Sequence, residues 1–387
     1  MPAEGDTPAR SFRGKGATGE HFLFVEAPGA LAFPEQVAFV CRRYEEVRTA
    51  LGLAPETAVF RRVFLSDVLN QAALVRESSL AADFPHSPVA VSIIQQPPLS
   101  GAKIALLAYH LDRPEPPLKE RLSVKHMLVR HDGLGHLWST RLCAGACDAS
   151  ADPVEAQTRE VFEELIGALT AQGGTLRDHC IRTWLYIKNV DIFYQGLVDA
   201  RTEIFTRHGL TPATHYLAST GIEGACAHRS DLVSMDAYSI LGLVPGQVTY
   251  LNDFEYLCPT QDYHVTFERG TRVAYADRAH LFISGTASID RLGRVVHLGD
   301  VLRQLDQALA NVDALMRAGG SGLADLMYLI VYLRDPADYP RIEARLRERL
   351  PNLPRIIVAG AVCRPEWLIE VEGVGIVADH RPDLPSF

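Results

Sequence analysis

The stretch QTREVFEELIGALTAQGGTLRDHCIRTWLYIKNVD, residues 157–191, is read a second time, without gaps, as QLDQALANVDALMRAGGSGLADLMYLIVYLRDPAD, residues 304–338. Gln157 meets Gln304, Gly173 meets Gly320, Asp178 meets Asp325 and Asp191 meets Asp338. The physical pattern repeats with the letters. Val161, Leu165, Ala168 and Leu169 are spaced as one face of a helix, and so are Ala308, Val312, Leu315 and Met316. Each helix is closed by glycines, Gly173-Gly174 and Gly319-Gly320, and each is followed by a β-branched and aromatic run, 183–187 and 329–333.

Working outward, a second helix is predicted over 193–208 and 339–350. A proline, Pro212 or Pro354, then opens another strand, and closing strands follow at 232–238 and 368–376. Hairpins at 135–147 and 280–297 precede the first helices. The unit is therefore β-β-α-β-α-β-β. A degenerate copy stands in front: a helix at 36–51, a strand at 59–65, a helix at 68–80 and strands at 89–94 and 104–109, without a full opening hairpin. The boundaries read 1–20 as a disordered tail, 21–112 as the degenerate unit, and 121–244 and 262–380 as full units, joined by Pro- and Gly-bearing linkers at 112–120 and 244–262. The fold class is α+β. A mixed sheet with two helices on one face must cover its other face. Three such units packed sheet against sheet make an intrachain pseudo-trimer; simple tandem domains are the alternative.

Composition narrows the function. Of 387 residues 47% are hydrophobic, enough for cores of this number, and the formal net charge of -9 gives no general footprint for nucleic acid. An anionic small molecule would need a local arginine cluster. No run is long and apolar enough for a membrane helix, and the first twenty residues lack the apolar region of a signal peptide, so a cytoplasmic protein without membrane partners is expected. The seven cysteines form no CxxC pair. Cys143 and Cys147 are four apart with no matching pair downstream, and His126, His131 and His136 fall at five-residue steps, a poor ligand spacing; no metal is expected.

The stretch FISGTAS (282–288), with Gln304, Asn311, Asp325 and the closing Ile369-Glu370-Val371-Glu372, resembles the Rid (YjgF) fold. Typical members are homotrimers with sites between subunits. A narrower resemblance, to the chorismatase family, rests on five segments in order: THYLASTGIEG (214–224), VTFERG (265–270), FISGTAS (282–288), VYLRD (331–335) and VCRPEWLIE (362–370). It covers nearly the whole chain from about residue 20. It implies an enzyme that acts on chorismate with loss of pyruvate and uses no metal or organic cofactor, here as a monomer with internal pseudo-threefold symmetry.

Imine-hydrolysing Rid proteins carry a carboxylate-holding arginine on the strand after the second helix. Counted from the strand-opening proline, that place falls on Gln96, Thr220 and Val362, none of them Arg, which disfavours imine deamination.

Cleavage of an enol ether begins with protonation of its terminal methylene carbon, a task for a carboxylic acid of raised pKa. Glu370 is the candidate. Strand parity puts it on one face with Glu372, and its counterparts in the other copies are Ser234 and Ala105. The resemblance implies that Gly285 and Cys363 decide the product. Members with Ala and a small apolar residue at these places add water; members with Gly and Cys give 3-hydroxybenzoate, some with 4-hydroxybenzoate. Cys363 could assist proton movement. Candidates for holding the two carboxylates are Arg141, Arg272 and Arg364, with hydroxyls from Tyr216, Ser219 and Thr220. The expected reaction is chorismate to 3-hydroxybenzoate and pyruvate. The alternatives are hydrolysis to 3,4-dihydroxycyclohexa-1,5-dienoate and pyruvate, or a non-catalytic Rid-like binding protein.

Overall fold

A computed structural model describes residues 8–83, 87–144, 153–226, 228–260 and 265–387. The first unit runs β1 (Ala9–Arg13), β2 (Gly19–Glu26), α1 (Phe33–Ala50), β3 (Ala58–Leu65), α2 (Val68–Glu77), β4 (Ala90–Gln95), β5 (Ile104–Asp112). The second runs β6 (Leu118–Arg121), β7 (His126–His131), β8 (Leu134–Cys143), α3 (Pro153–Ala171), the single turn α4 (Leu176–His179), β9 (Cys180–Ile187), α5 (Val190–Arg207), β10 (Ala218–Glu223), β11 (Val233–Leu241). The third runs β12 (Val248–Leu251), β13 (Gly270–Ala274), β14 (Arg278–Ala287), α6 (Val301–Ala318), β15 (Leu326–Leu333), α7 (Tyr339–Arg349), β16 (Arg355–Ala359), β17 (Ile369–Ala378). The sheets are ordered β1-β2-β5-β3-β4, β10-β9-β11-β8-β7-β6 and β12-β13-β14-β17-β15-β16, so each closing strand is central.

The apolar spacing seen in the sequence is the buried face. In α6, Leu305, Ala308, Leu309, Val312, Leu315 and Met316 turn inward, Asp300 caps the start by accepting from the Arg303 amide, and Gly320 takes the left-handed φ of +77° that ends the turn. The repeated glutamine has a structural reason. Gln36, Gln157 and Gln304 each accept, through the side-chain oxygen, the amide of the residue preceding the closing strand (Lys103, Leu232 and Leu368, at 2.7, 2.7 and 2.8 Å). One polar side chain per unit thus ties the first helix to the entry of the central strand.

The faces away from the helices meet around a pseudo-threefold axis. Phe60 stacks on Trp138 between the first and second units (4.7 Å between ring centroids). Tyr238 meets Phe282 between the second and third (5.4 Å), and Phe22 meets Tyr328 between the third and first (5.3 Å). The interfaces also hold buried ion pairs: Arg62–Asp236 (3.2 Å) between the first and second units, Arg182–Glu372 (2.8 Å) between the second and third, and Arg278–Glu20 (2.7 Å) between the third and first, where Arg62 also reaches Glu372 (3.9 Å). Removing one partner of such a pair would leave an uncompensated buried charge, at a cost of about 3–5 kcal/mol. The units are therefore one body rather than tandem beads.

Several boundaries move. The expected loose tail is, from Ala9, an antiparallel strand on β2, so the first unit does have its opening hairpin. Both linkers contribute edge strands, β6 and β12. The opening hairpins are β7–β8 and β13–β14. The gapless repeat slips by one residue through the strand: Asp236 faces Trp184 whereas Glu372 faces Ile330, because the turn before β9 spans Leu176–His179 and the one before β15 only Leu323–Asp325.

Candidate active site

The second and third units line a small cleft, partly open to solvent, walled by α5, β10, β14 and the loop between β16 and β17. Its floor is made by a defect in pairing. Ile283 faces Gly373 and Thr286 faces Val371, so Ser284 and Gly285 together oppose Glu372 in a β-bulge. The bulge turns the Gly285 amide away from the ladder toward the neighbouring unit, where it donates to the Thr220 hydroxyl oxygen at 2.8 Å. The Ser219 amide donates to the Ser284 hydroxyl oxygen at 2.9 Å. Two adjacent β10 residues thereby dock on two adjacent bulge residues.

Glu370, on β17, faces Ala287 on one side and Tyr332 on the other, and its carboxyl lines the cleft while remaining only 5% exposed. Among the described residues it makes no hydrogen bond or ion pair. Burial, joined by the negative charge of Glu372, pushes it up to about 8 against the opposing pull of Arg182 and Arg269. A carboxyl in this state holds a proton at neutral pH. Glu372 behaves differently although strand parity puts it on the same face. It accepts from Trp184 Nε1 at 2.8 Å and from Arg182 at 2.8 Å, and it is also bonded to the Thr220 hydroxyl. Two carboxyls two residues apart thus have opposite environments, one tied up by donors and one left to the cavity.

Cys363 stands on the other side of the carboxyl. Burial, then the nearby Glu370, raises its thiol to about 12, partly offset by a hydrogen bond from Tyr194. It is a neutral thiol here, not a nucleophilic thiolate. Trp367 closes the loop by donating from Nε1 to the Ser288 carbonyl at 3.1 Å, and the Arg364 guanidinium lies 5.2 Å from the centre of its ring. Gln304, holding Leu368 N and the Glu366 carbonyl, sets this loop against α6.

Two further cations line the cleft. Arg201 on α5 is 2% exposed; its Nε donates to Thr266 Oγ1 at 3.1 Å, while Nη2 is buried without a hydrogen-bond partner among the described residues. Arg269 donates through Nη2 to the Cys258 carbonyl at 3.2 Å. With Arg364 they form a local positive lining in a chain of net negative charge. An orphaned guanidinium N–H in a cleft beside other cations is a built acceptor site for an anion such as a carboxylate.

The family model described as Endoribonuclease L-PSP matches residues 271–377, the third unit. Over 99 residues, 25% of this chain and 79% of the other, the chain is 31% identical to the 3-aminoacrylate deaminase RutC of Acinetobacter baylyi. The chain belongs to the Rid family. Its similarity to a solved chorismatase extends across 83% of this chain and 93% of that one, with a TM-score of 0.62 at 20% identity, so the fold is shared over that extent.

Within this Rid architecture, Glu370, Cys363, Gly285, Ser219, Thr220 and Arg364 come together in the one cleft. Three expected residues do not. Arg272, on β13, is bonded to Asp379 and to the Gly319 carbonyl, because its strand position points it at the helix-bearing side. Arg141 sits at the second unit's own bulge, the counterpart of Gly285. Its amide donates to Asp236 at 2.9 Å and its guanidinium to the Val124 carbonyl, which places it toward the first unit. Tyr216 packs by its ring on Phe205 and does not line the cleft.

The counting rule for the Rid carboxylate arginine also changes. Strand register makes Ser92 and Ile356 the counterparts of Thr220, not Gln96 and Val362, because the proline-to-strand spacing differs among the units. None of the three is Arg.

Arg201, Arg269, Tyr194 and Trp367 were missed as site residues. A signal existed for the first: Arg201 interrupts the otherwise apolar buried stripe Leu197, Val198, Ile204 and Phe205 of α5. Arg269 and Trp367 lay inside stretches already singled out.

Proposed function

We infer that the chain releases pyruvate from chorismate and yields 3-hydroxybenzoate. The observation that carries this reading is a buried, protonated, unpaired carboxyl, Glu370, facing a cleft lined by three arginines. Chorismate offers an enol ether to be protonated and two carboxylates to be held. Arg201, Arg269 and Arg364 hold the carboxylates. Glu370 gives its proton to the methylene carbon of the enolpyruvyl group, and the ether oxygen helps to bear the positive charge that develops. The adjacent ring hydroxyl attacks the ether-bearing ring carbon, the carbon–oxygen bond to pyruvate breaks, and the hydroxyl proton returns to the Glu370 carboxylate. The resulting arene oxide opens and aromatises, so substrate and the two products balance without water. Cys363 and Trp367 line the same cleft, and walls that keep water from the ring would favour internal attack over hydrolysis.

The test is incubation of the purified chain with chorismate. Pyruvate is followed by coupling to lactate dehydrogenase, and the ring product is separated by chromatography. An aromatic phenol with one equivalent of pyruvate is expected. A diene diol would assign hydrolysis instead, and no pyruvate at all would leave a binding protein.

A further inference from the structure

The positions of the second unit that correspond to the Glu370 site of the third hold a different set of side chains. The loops from β10 to β11 and from β16 to β17 are of equal length, so Cys226, Asp231 and Ser234 stand where Val362, Trp367 and Glu370 stand in the third unit. Cys143 faces Ser234 across the β8–β11 ladder, as Ala287 faces Glu370. The fold brings Cys143 beside Cys226 and Asp231; Cys147, four residues on in the sequence, lies outside the described residues.

The Sγ atoms of Cys143 and Cys226 and a carboxylate oxygen of Asp231 all lie within 4.8 Å of one another. In a tetrahedral zinc site with Zn–S near 2.3 Å, two sulfurs are separated by roughly 3.8 Å, so small side-chain rotations suffice to close on one ion. Asp231 makes the stronger argument. It is 2% exposed, its Oδ2 accepts from the Cys226 thiol at 2.8 Å, and its Oδ1 is buried with no hydrogen-bond partner among the described residues. Among the described residues no ion pair reaches it. A buried carboxylate of this kind is costly unless a cation offsets it. Two thiols beside it select a borderline-soft ion over magnesium or calcium.

We propose that Cys143, Cys226 and Asp231 bind one Zn2+ as a structural clip inside the second unit. Binding releases the two thiol protons to solvent, and two thiolates and one carboxylate then surround the ion. The fourth position is filled by water or by His228, which is exposed and acts electrostatically on Cys143. The clip joins the end of β8 to the loop after β10, two points otherwise linked only through the sheet. It is independent of the proposed reaction, since Glu370 lies in the cleft between the second and third units.

The experiment uses the full-length chain, reduced and stripped with a chelator, then given equimolar Zn2+ or Co2+ and passed through gel filtration. One Zn2+ per chain is expected. The Co2+ form should show intense near-ultraviolet thiolate-to-metal charge transfer. Cys226→Ser and Asp231→Asn should each weaken zinc binding at least about tenfold while leaving pyruvate release unchanged, and Glu370→Gln should bind zinc like the parent. Zinc that does not co-elute with the parent chain, a Co2+ spectrum without thiolate bands, or undiminished binding by Cys226→Ser would each overturn the assignment. The Co2+ spectrum of the parent decides the matter even if a variant fails to fold.

Discussion

The Oε1 atom of Glu370 fills the space that a side chain on Gly285 would need: a Cβ built there would lie 2.2 Å from it and 3.1 Å from Thr220 Cγ2. The absence of a side chain at the bulge is what allows the carboxyl to lie against the floor of the cleft. The obstructing atom is the end of a flexible side chain, so Gly285→Ala should fold and instead displace the carboxyl. We expect pyruvate release to fall at least about tenfold, with a larger share of dihydroxycyclohexadienoate as the proton donor moves and water gains access. Unchanged rate and product ratio, by the coupled assay and chromatography, would show that this contact has no part in the chemistry.

Cys363 is a neutral thiol wedged between Tyr194 and Glu370. Cys363→Ala removes a sulfur from the wall without touching the acid. The ratio of phenol to diene diol should therefore shift by more than the total pyruvate rate does. A ratio identical to the parent's would assign the sulfur to packing alone.

In the proposed reaction Glu370 acts from its protonated form. The rate at saturating chorismate should be flat through neutral pH and decline about tenfold per unit above roughly pH 8, where the carboxyl ionises. Glu370→Gln should lose about 10²–10⁴-fold, the range assigned to a general acid, and its residual activity should lack that alkaline limb. A parent profile that still rises at pH 9 would remove Glu370 from the role of acid.

The same carboxyl affects stability. Its folded pKa is raised from 4.5 to about 8, so between these values the folded chain keeps a proton that the unfolded chain has lost. Stability from this group is complete below about pH 4.5 and is lost as pH rises through 8, by on the order of 1 kcal/mol per unit. Glu370→Gln, which carries no ionisable proton, should match the parent in denaturant unfolding near pH 5 and exceed it increasingly toward pH 8. A constant difference across that range would mean that the carboxyl is not held neutral.

Arg201 has a buried Nη2 with no hydrogen-bond partner among the described residues. Arg201→Met keeps the bulk of the stem and removes the donor. KM for chorismate should rise about tenfold or more, with a smaller change in kcat, since a carboxylate is held in ground and transition states alike. A kcat loss with unchanged KM would place Arg201 in the chemical step instead.

The sequence by itself determined the repeat and, through strand parity and the resemblance, the residue proposed as the acid. A helix with one apolar face, glycines at its end and a β-branched run behind it are local properties, and they recur at 157–191 and 304–338 for any reader of the chain. Comparing the copies at one strand position was enough to single out Glu370 against Ser234 and Ala105. What only the tertiary structure decided was which arginines share its cleft. Arg141 and Arg201 are equally plausible in one dimension. The bulge at Thr140-Arg141 turns the first toward the opposite interface, whereas the helical register of α5 turns the second into the cavity. The first hairpin was also hidden, because an edge strand of half-buried and exposed residues, among them Arg10 and Arg13, owes its shape to the ladder on β2 and not to its own hydrophobic pattern. Likewise Cys143 and Cys226 are far apart in sequence and meet only because β8 pairs with β11. Long-range neighbours are set by how sheets pair and pack, and no local periodicity encodes that.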